Sequence, residues 1–146
     1  MSKPWINLKK GKKMNELASV LRFMQLYAHG LHNLCKGNTF FQDHLFFGEL
    51  YPAYEAHYDD VVERMIGTGE KVDILEITKS ACEELGYYKM DDVQYGIDTI
   101  LQYEQSICNY IERLCEQSSE GTSQMLGDIA NASEMRQYKM KQRSSK

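Results

Sequence analysis

The chain has 146 residues, a formal net charge of −4, 42% hydrophobic and 26% charged residues, and only two prolines. That length suits one domain with one sizeable core. No uncharged apolar run approaches the roughly 18 residues a membrane span needs, and the basic opening MSKPWINLKKGKKM lacks the apolar segment of a secretory signal, so a soluble, cytoplasmic, mostly helical protein is expected.

Residues 1–13 are polar and basic and read as a flexible N-terminal tail. From Asn15 a helical pattern begins, with Leu17, Val20, Leu21, Met24, Leu31 and Leu34 recurring at three, four and seven. Gly37 closes this first helix. A second helix is expected from Thr39, a plausible N-cap, to Gly67 or Gly69. Pro52 lies inside it and should bend it, but Val61, Val62 and Met65 resume the apolar pattern. Residues 70–90 read as irregular with one short helix near Asp73 to Leu85. A third long helix starts near Asp91, with Asp91 and Asp92 at its positive end, and carries Val93, Ile97, Ile100, Leu101, Ile107, Ile111 and Leu114. SSEGT breaks the pattern, and a fourth helix runs from about Ser119 to Met140.

Two short links and one connection of about 20 residues define the fold class. It is all-α, a four-helix bundle with one long crossover carrying a short helix. The organisation expected is a tail at 1–13, a bundle at 14–140 and a basic C-terminal tail at 141–146. Charge follows the same division. The first 13 residues hold five lysines and no acid, and residues 136–146 hold five basic side chains and no acid, which leaves 7 basic and 21 acidic side chains between them. The result is an acidic globule with two cationic ends. The four cysteines, Cys35, Cys82, Cys108 and Cys115, form no CxxC pair and read as buried free thiols.

All four histidines, His29, His32, His44 and His57, lie in the first two helices, and no Glu-x-x-His occurs. A conventional di-iron site in the bundle core is thereby excluded. Another constellation is available. Asp59 and Glu63, four apart, project from one helix face, and carboxylate oxygens with imidazole suit Fe(II) or Mn(II). His44 stands 15 residues before Asp59, about 22 Å along a helix axis. His32 and His44 lie at similar distances on either side of the turn at Gly37, so an antiparallel hairpin makes them roughly level. If the histidine pair and the carboxylate pair serve one metal, a two-fold-related second subunit must complete the site.

The run His32-Asn33-Leu34-Cys35-Lys36-Gly37, followed by Phe40-Phe41, His44, Leu50-Tyr51, Asp59 and Glu63-Arg64, resembles the signature of the Dps family of mini-ferritins, within the ferritin-like superfamily. Gly121-Thr122, Met125-Leu126, Ile129, Glu134 and Tyr138 extend the resemblance over residues 15–140. It implies a ferritin-like bundle, a hollow homododecamer, and a ferroxidase whose catalytic iron ligands are His32 and His44 of one subunit with Asp59 and Glu63 of its mate. It also implies hydrogen peroxide as preferred oxidant, iron as Fe(II) and Fe(III), a stored ferric mineral, and protection of DNA under oxidative stress. Two positions depart from the family. Gly48 stands where an acid is usual, which points to a single tight iron or a weaker water-bridged pair, and Asn33 stands where Trp is frequent.

Lys3, Lys9, Lys10, Lys12 and Lys13 are candidate sequence-independent DNA contacts, through phosphate neutralisation multiplied over a shell, and would make the protein nucleoid-associated. The alternative is a DNA-compacting ferritin-like shell with weak or no ferroxidase activity, which Gly48 favours; a third is a four-helix interaction protein without metal. Among the remaining residues, Tyr51, Tyr54 and Tyr58 read as packing, Met24, Met65, Met90 and Met125 as core filler, and His57 with Asp60 as a solvated pair.

Overall fold

The computed structural model describes residues 14–145. They form five helices, α1 (Met14–Leu34), α2 (Phe40–Gly67), α3 (Ile74–Leu85), α4 (Val93–Cys115) and α5 (Glu120–Ser144), with no strand among them. No helix among the described residues is long and apolar enough to cross a membrane. The segment 1–13, with its five lysines, lies outside the described residues.

The pairing follows the apolar stripes. α1 and α2 form an antiparallel hairpin, so that Arg22 lies over the Tyr58 ring at one end and His32 stacks on His44 at the other. α4 and α5 form a second hairpin, joined by Cys108 to Ser133 and by Gln94 to Ser144. Tyr110 donates to Glu16 between α4 and α1, and Arg143 meets Asp43 between α5 and α2. These pairings run α1 up, α2 down, α4 down and α5 up. The connection holding α3 therefore returns the chain along the bundle, the one-crossover topology expected. α3 packs on α1, with Ile77 and Ala81 buried.

Local signals account for the ends. Asp73, Asp92 and Ser119 each accept a hydrogen bond from the backbone N–H three residues on, at 3.0, 3.1 and 3.2 Å. Gly37 takes φ +103°, which an L side chain rarely adopts. α2 passes through Pro52 unbroken; the proline withholds a hydrogen bond from the carbonyl of Gly48, one turn earlier.

Three expectations change. Thr39 makes no capping bond; its hydroxyl donates to the Asp43 carboxylate at 2.6 Å. α5 continues to Ser144, past the boundary expected at residue 140, because Arg143 reaches a buried carboxylate, that of Asp43. All four cysteines are free, but Cys82 is exposed and Cys108 and Cys115 are only partly buried. Of the four methionines read as filler, Met24 and Met65 are buried, and Met90 and Met125 pack against the core at its edge.

Candidate metal centre

His32 and His44 come together across the α1–α2 hairpin. Their ring centroids lie 3.8 Å apart, with the planes at 22°. Each holds the other's backbone: His32 Nδ1 lies 2.9 Å from the His44 carbonyl, and His44 Nδ1 lies 3.1 Å from the His32 carbonyl. A carbonyl oxygen only accepts, so Nδ1 carries the proton in both rings. In the neutral imidazole Nε2 then keeps its lone pair, the form that binds a metal, and an Nδ1–H to carbonyl bond is the usual way such a ligand is oriented.

Packing reinforces this. Phe40 stacks on His44 at 4.9 Å. His29 stacks on Tyr51 at 3.9 Å and 7°, and Tyr51 lies 5.4 Å from the His32 ring. Gly48 is explained by the same crowding. A Cβ at that position would stand 3.1 Å from His32 Cε1 and 3.2 Å from its Nδ1. A side chain at position 48 therefore requires the His32 ring to shift by a few tenths of an ångström.

Asp59 and Glu63 lie farther along α2, and both are exposed. Glu63 lines a pocket of about 400 Å³ with Asp60, Arg64, Gly67, Thr68 and Met125. Among the described residues of one chain, no group of three or more His, Cys, Asp or Glu side chains could hold a metal ion. The histidine half and the carboxylate half thus remain separate within the chain.

Asp59 and Glu63 share a face of α2 that passes beside His44. At 100° per residue, Phe41, Leu45, Gly48, Pro52, Ala56, Asp59, Glu63 and Ile66 fall on a single stripe. All except the half-buried Gly48 are exposed, Phe41 at 83%. Leu34, also exposed, adds to the apolar surface at the histidine end.

The bundle interior holds a second polar group that sequence reading missed. Glu104 is fully buried. Tyr54 donates to it, and Arg136 reaches it twice, Nε at 2.5 Å and Nη2 at 3.2 Å. Arg136 also donates from Nη1 to His57 Nε2 at 3.1 Å. His57 therefore does not form the expected solvated pair with Asp60. Burial, reinforced by the Arg136 charge, lowers its pKa to about 4. Burial, with Glu104 adding to it, pushes the Tyr54 hydroxyl well above the usual phenol range. A second carboxylate, Glu84, accepts from Tyr103, whose hydroxyl also meets that of Tyr88 at 2.6 Å. Tyr54 and Tyr58 are core residues, while Tyr51 is only partly buried.

The C-terminal basic cluster is likewise divided. Arg136 and Arg143 are committed to Glu104 and Asp43; Lys139 and Lys141 are exposed.

An antiparallel helical bundle with one long crossover is the architecture in which many metal-handling proteins build their sites. The ferritin-like domain family matches residues 11–144, and the chain belongs to that family. Members commonly bind, store and oxidise iron and assemble into oligomeric shells. No protein of curated function and no solved structure gives a match.

Proposed function

We propose that the protein is a mini-ferritin of the Dps type, a ferroxidase that binds and oxidises Fe(II) between two-fold-related subunits. The observation that carries this reading is the exposed stripe of α2. Its histidine and carboxylate ends lie about 22 Å apart, and their midpoint falls beside Pro52. The middle of the stripe, Gly48, Pro52 and Ala56, is small or short. Two copies crossing there in antiparallel fashion approach closely and set His44 of each level with Asp59 of the other. The exposed Phe41, Leu45 and Ile66 then gain a cover.

Iron is the substrate in this reading. His32 and His44 offer Nε2 lone pairs, while Asp59 and Glu63 supply negative oxygens that favour Fe(III) over Fe(II). Two Fe(II) yield the two electrons that, with two protons, reduce one hydrogen peroxide to two waters. With Gly48 in place of an acid, those electrons come from one tight and one weak position, or from successive occupancy of one. The acidic middle of the chain favours cation accumulation in a shell, and the dodecamer and the ferric store belong to this proposal. Replacing both His32 and Asp59 by Ala should abolish peroxide-driven Fe(II) oxidation while assembly persists; an unchanged rate in that variant sinks the assignment.

Protection of DNA is the finer part of the proposal and rests on Lys3, Lys9, Lys10, Lys12 and Lys13. Deleting residues 1–13 should abolish DNA retention that weakens steeply with salt. Retention that survives the deletion at low salt removes these lysines as the contact.

A further inference from the structure

The first turn of α2, which ends at Asp43 just before His44, has no capping side chain of its own, since the Thr39 hydroxyl is spent on Asp43. An uncapped first turn leaves backbone N–H groups unsatisfied and frays. Here a residue 100 positions away pins the turn by a side chain instead of capping its N–H groups. Arg143, in the last turn of α5, holds the Asp43 carboxylate through Nε at 3.3 Å and through Nη2 at 3.3 and 3.2 Å. Asp43 is only 4% exposed. The same guanidinium donates from Nη1 to Gln94 Oε1 at 3.0 Å, and Gln94 in turn donates to Ser144 Oγ at 2.9 Å. Three helix ends, those of α2, α4 and α5, are thereby tied at the histidine end of the bundle.

Asp43 and His44 are adjacent on one helix, so their side chains leave it about 100° apart. Anchoring Asp43 inward fixes the rotation of the turn, and with it the direction in which the His44 ring leaves. The His44 carbonyl, which orients His32, sits in the same turn. We infer that Arg143 is a positioning residue for His44, so that the last turn of α5, read from sequence as a basic tail, belongs to the support of the metal centre. The inference rests on the proposed role of His44 as a ligand.

Co(II), which is not oxidised under the assay conditions, is the probe, and its visible absorption reports binding to the intact oligomer. Loss of groups that orient a metal ligand costs about 10- to 100-fold in affinity. Arg143→Ala should therefore weaken Co(II) binding at least tenfold and raise the Fe(II) KM more than it lowers kcat, and Arg143→Lys should restore part of the loss. In a His44→Ala background the Arg143→Ala change should cost less than in the wild type, because the part of its route through the His44 ring is gone and only the backbone carbonyl that orients His32 remains. Asp43→Asn breaks the ion pair with little change of shape and should weaken Co(II) in the same direction, which keeps the test available if Arg143→Ala does not assemble. Wild-type Co(II) affinity in Arg143→Ala or Asp43→Asn, alongside a loss in His44→Ala, overturns the positioning role alone. A loss on adding Arg143→Ala to His44→Ala as large as that in the wild type also overturns it. Wild-type affinity in His44→Ala overturns the site reading, and the inference falls with it.

Discussion

The bundle centre and the histidine end of the α1–α2 hairpin are both polar, but they treat charge in opposite ways. At the centre Glu104 is fully buried, and its charge is matched inside the chain by Arg136 and the Tyr54 hydroxyl. At the hairpin end each imidazole satisfies Nδ1 on the other's backbone carbonyl, which leaves Nε2 as the atom for a metal in the proposed site. The centre is electrostatically closed: its buried carboxylate has a guanidinium beside it. The hairpin end is prepared but incomplete, because its carboxylates lie on another part of α2. Under the proposed function, the interior pair serves stability and the hairpin end serves a site between subunits.

Breaking the centre should have the largest effect on stability and little on metal binding. Arg136→Ala leaves Glu104 buried and unpaired, which costs about 3–5 kcal/mol. Denaturant unfolding should show that loss, and Co(II) affinity of the remaining folded protein should match wild type. Replacing the pair together, as Glu104→Leu with Arg136→Met, should recover most of the stability.

The pH response of the centre comes next. The folded pKa of His57, about 4, lies below the ordinary imidazole value of 6.5, so the unfolded chain takes up the proton first. The contribution of the neutral ring is therefore complete above about pH 6.5 and is lost as pH falls towards 4, by roughly 3 kcal/mol over that window. His57→Gln should flatten this part of the stability–pH profile; an unchanged slope in that variant assigns it to other groups.

The smallest expected effect lies at the hairpin end. Gly48→Ala places a Cβ against the His32 ring and should weaken Co(II) binding about tenfold, near 1.4 kcal/mol. Global stability should change by less than about 1 kcal/mol, since the position is half-exposed and a helix favours Ala over Gly. A large loss of stability with unchanged Co(II) affinity would contradict the role given to the glycine.

Much of the fold could be read from spacing. Apolar periodicity carried α2 through Pro52, and the crossover length placed α4 antiparallel to α1. The level pair His32 and His44 followed from their distances to Gly37. What escaped were the polar residues facing inward. Glu104 continues the stripe Ile97, Ile100, Ile107 and Ile111, and Asp43 begins the stripe Phe47, Leu50, Tyr54 and Tyr58. An acid in such a register requires a buried cation, and that requirement was the available signal for Arg136 and Arg143. It is obscured because the last 11 residues hold five basic side chains and no acid, which reads as one cationic end and does not mark two of them as partners of buried acids. Gly48 stood out in the sequence as a missing acid, but its close approach to the His32 ring needed the packing of α1 on α2.

The central claim is that histidines and carboxylates of one site come from different subunits, and co-assembly tests it most directly. His32→Ala/His44→Ala subunits and Asp59→Ala/Glu63→Ala subunits should each fail to oxidise Fe(II) with peroxide. In a mixed two-fold pair one site regains both histidines and both carboxylates and the other loses all four. Oligomers refolded from an equal mixture should therefore recover about a quarter of the wild-type rate, as random two-fold pairing gives. Mixed oligomers as inactive as their parents would contradict the account.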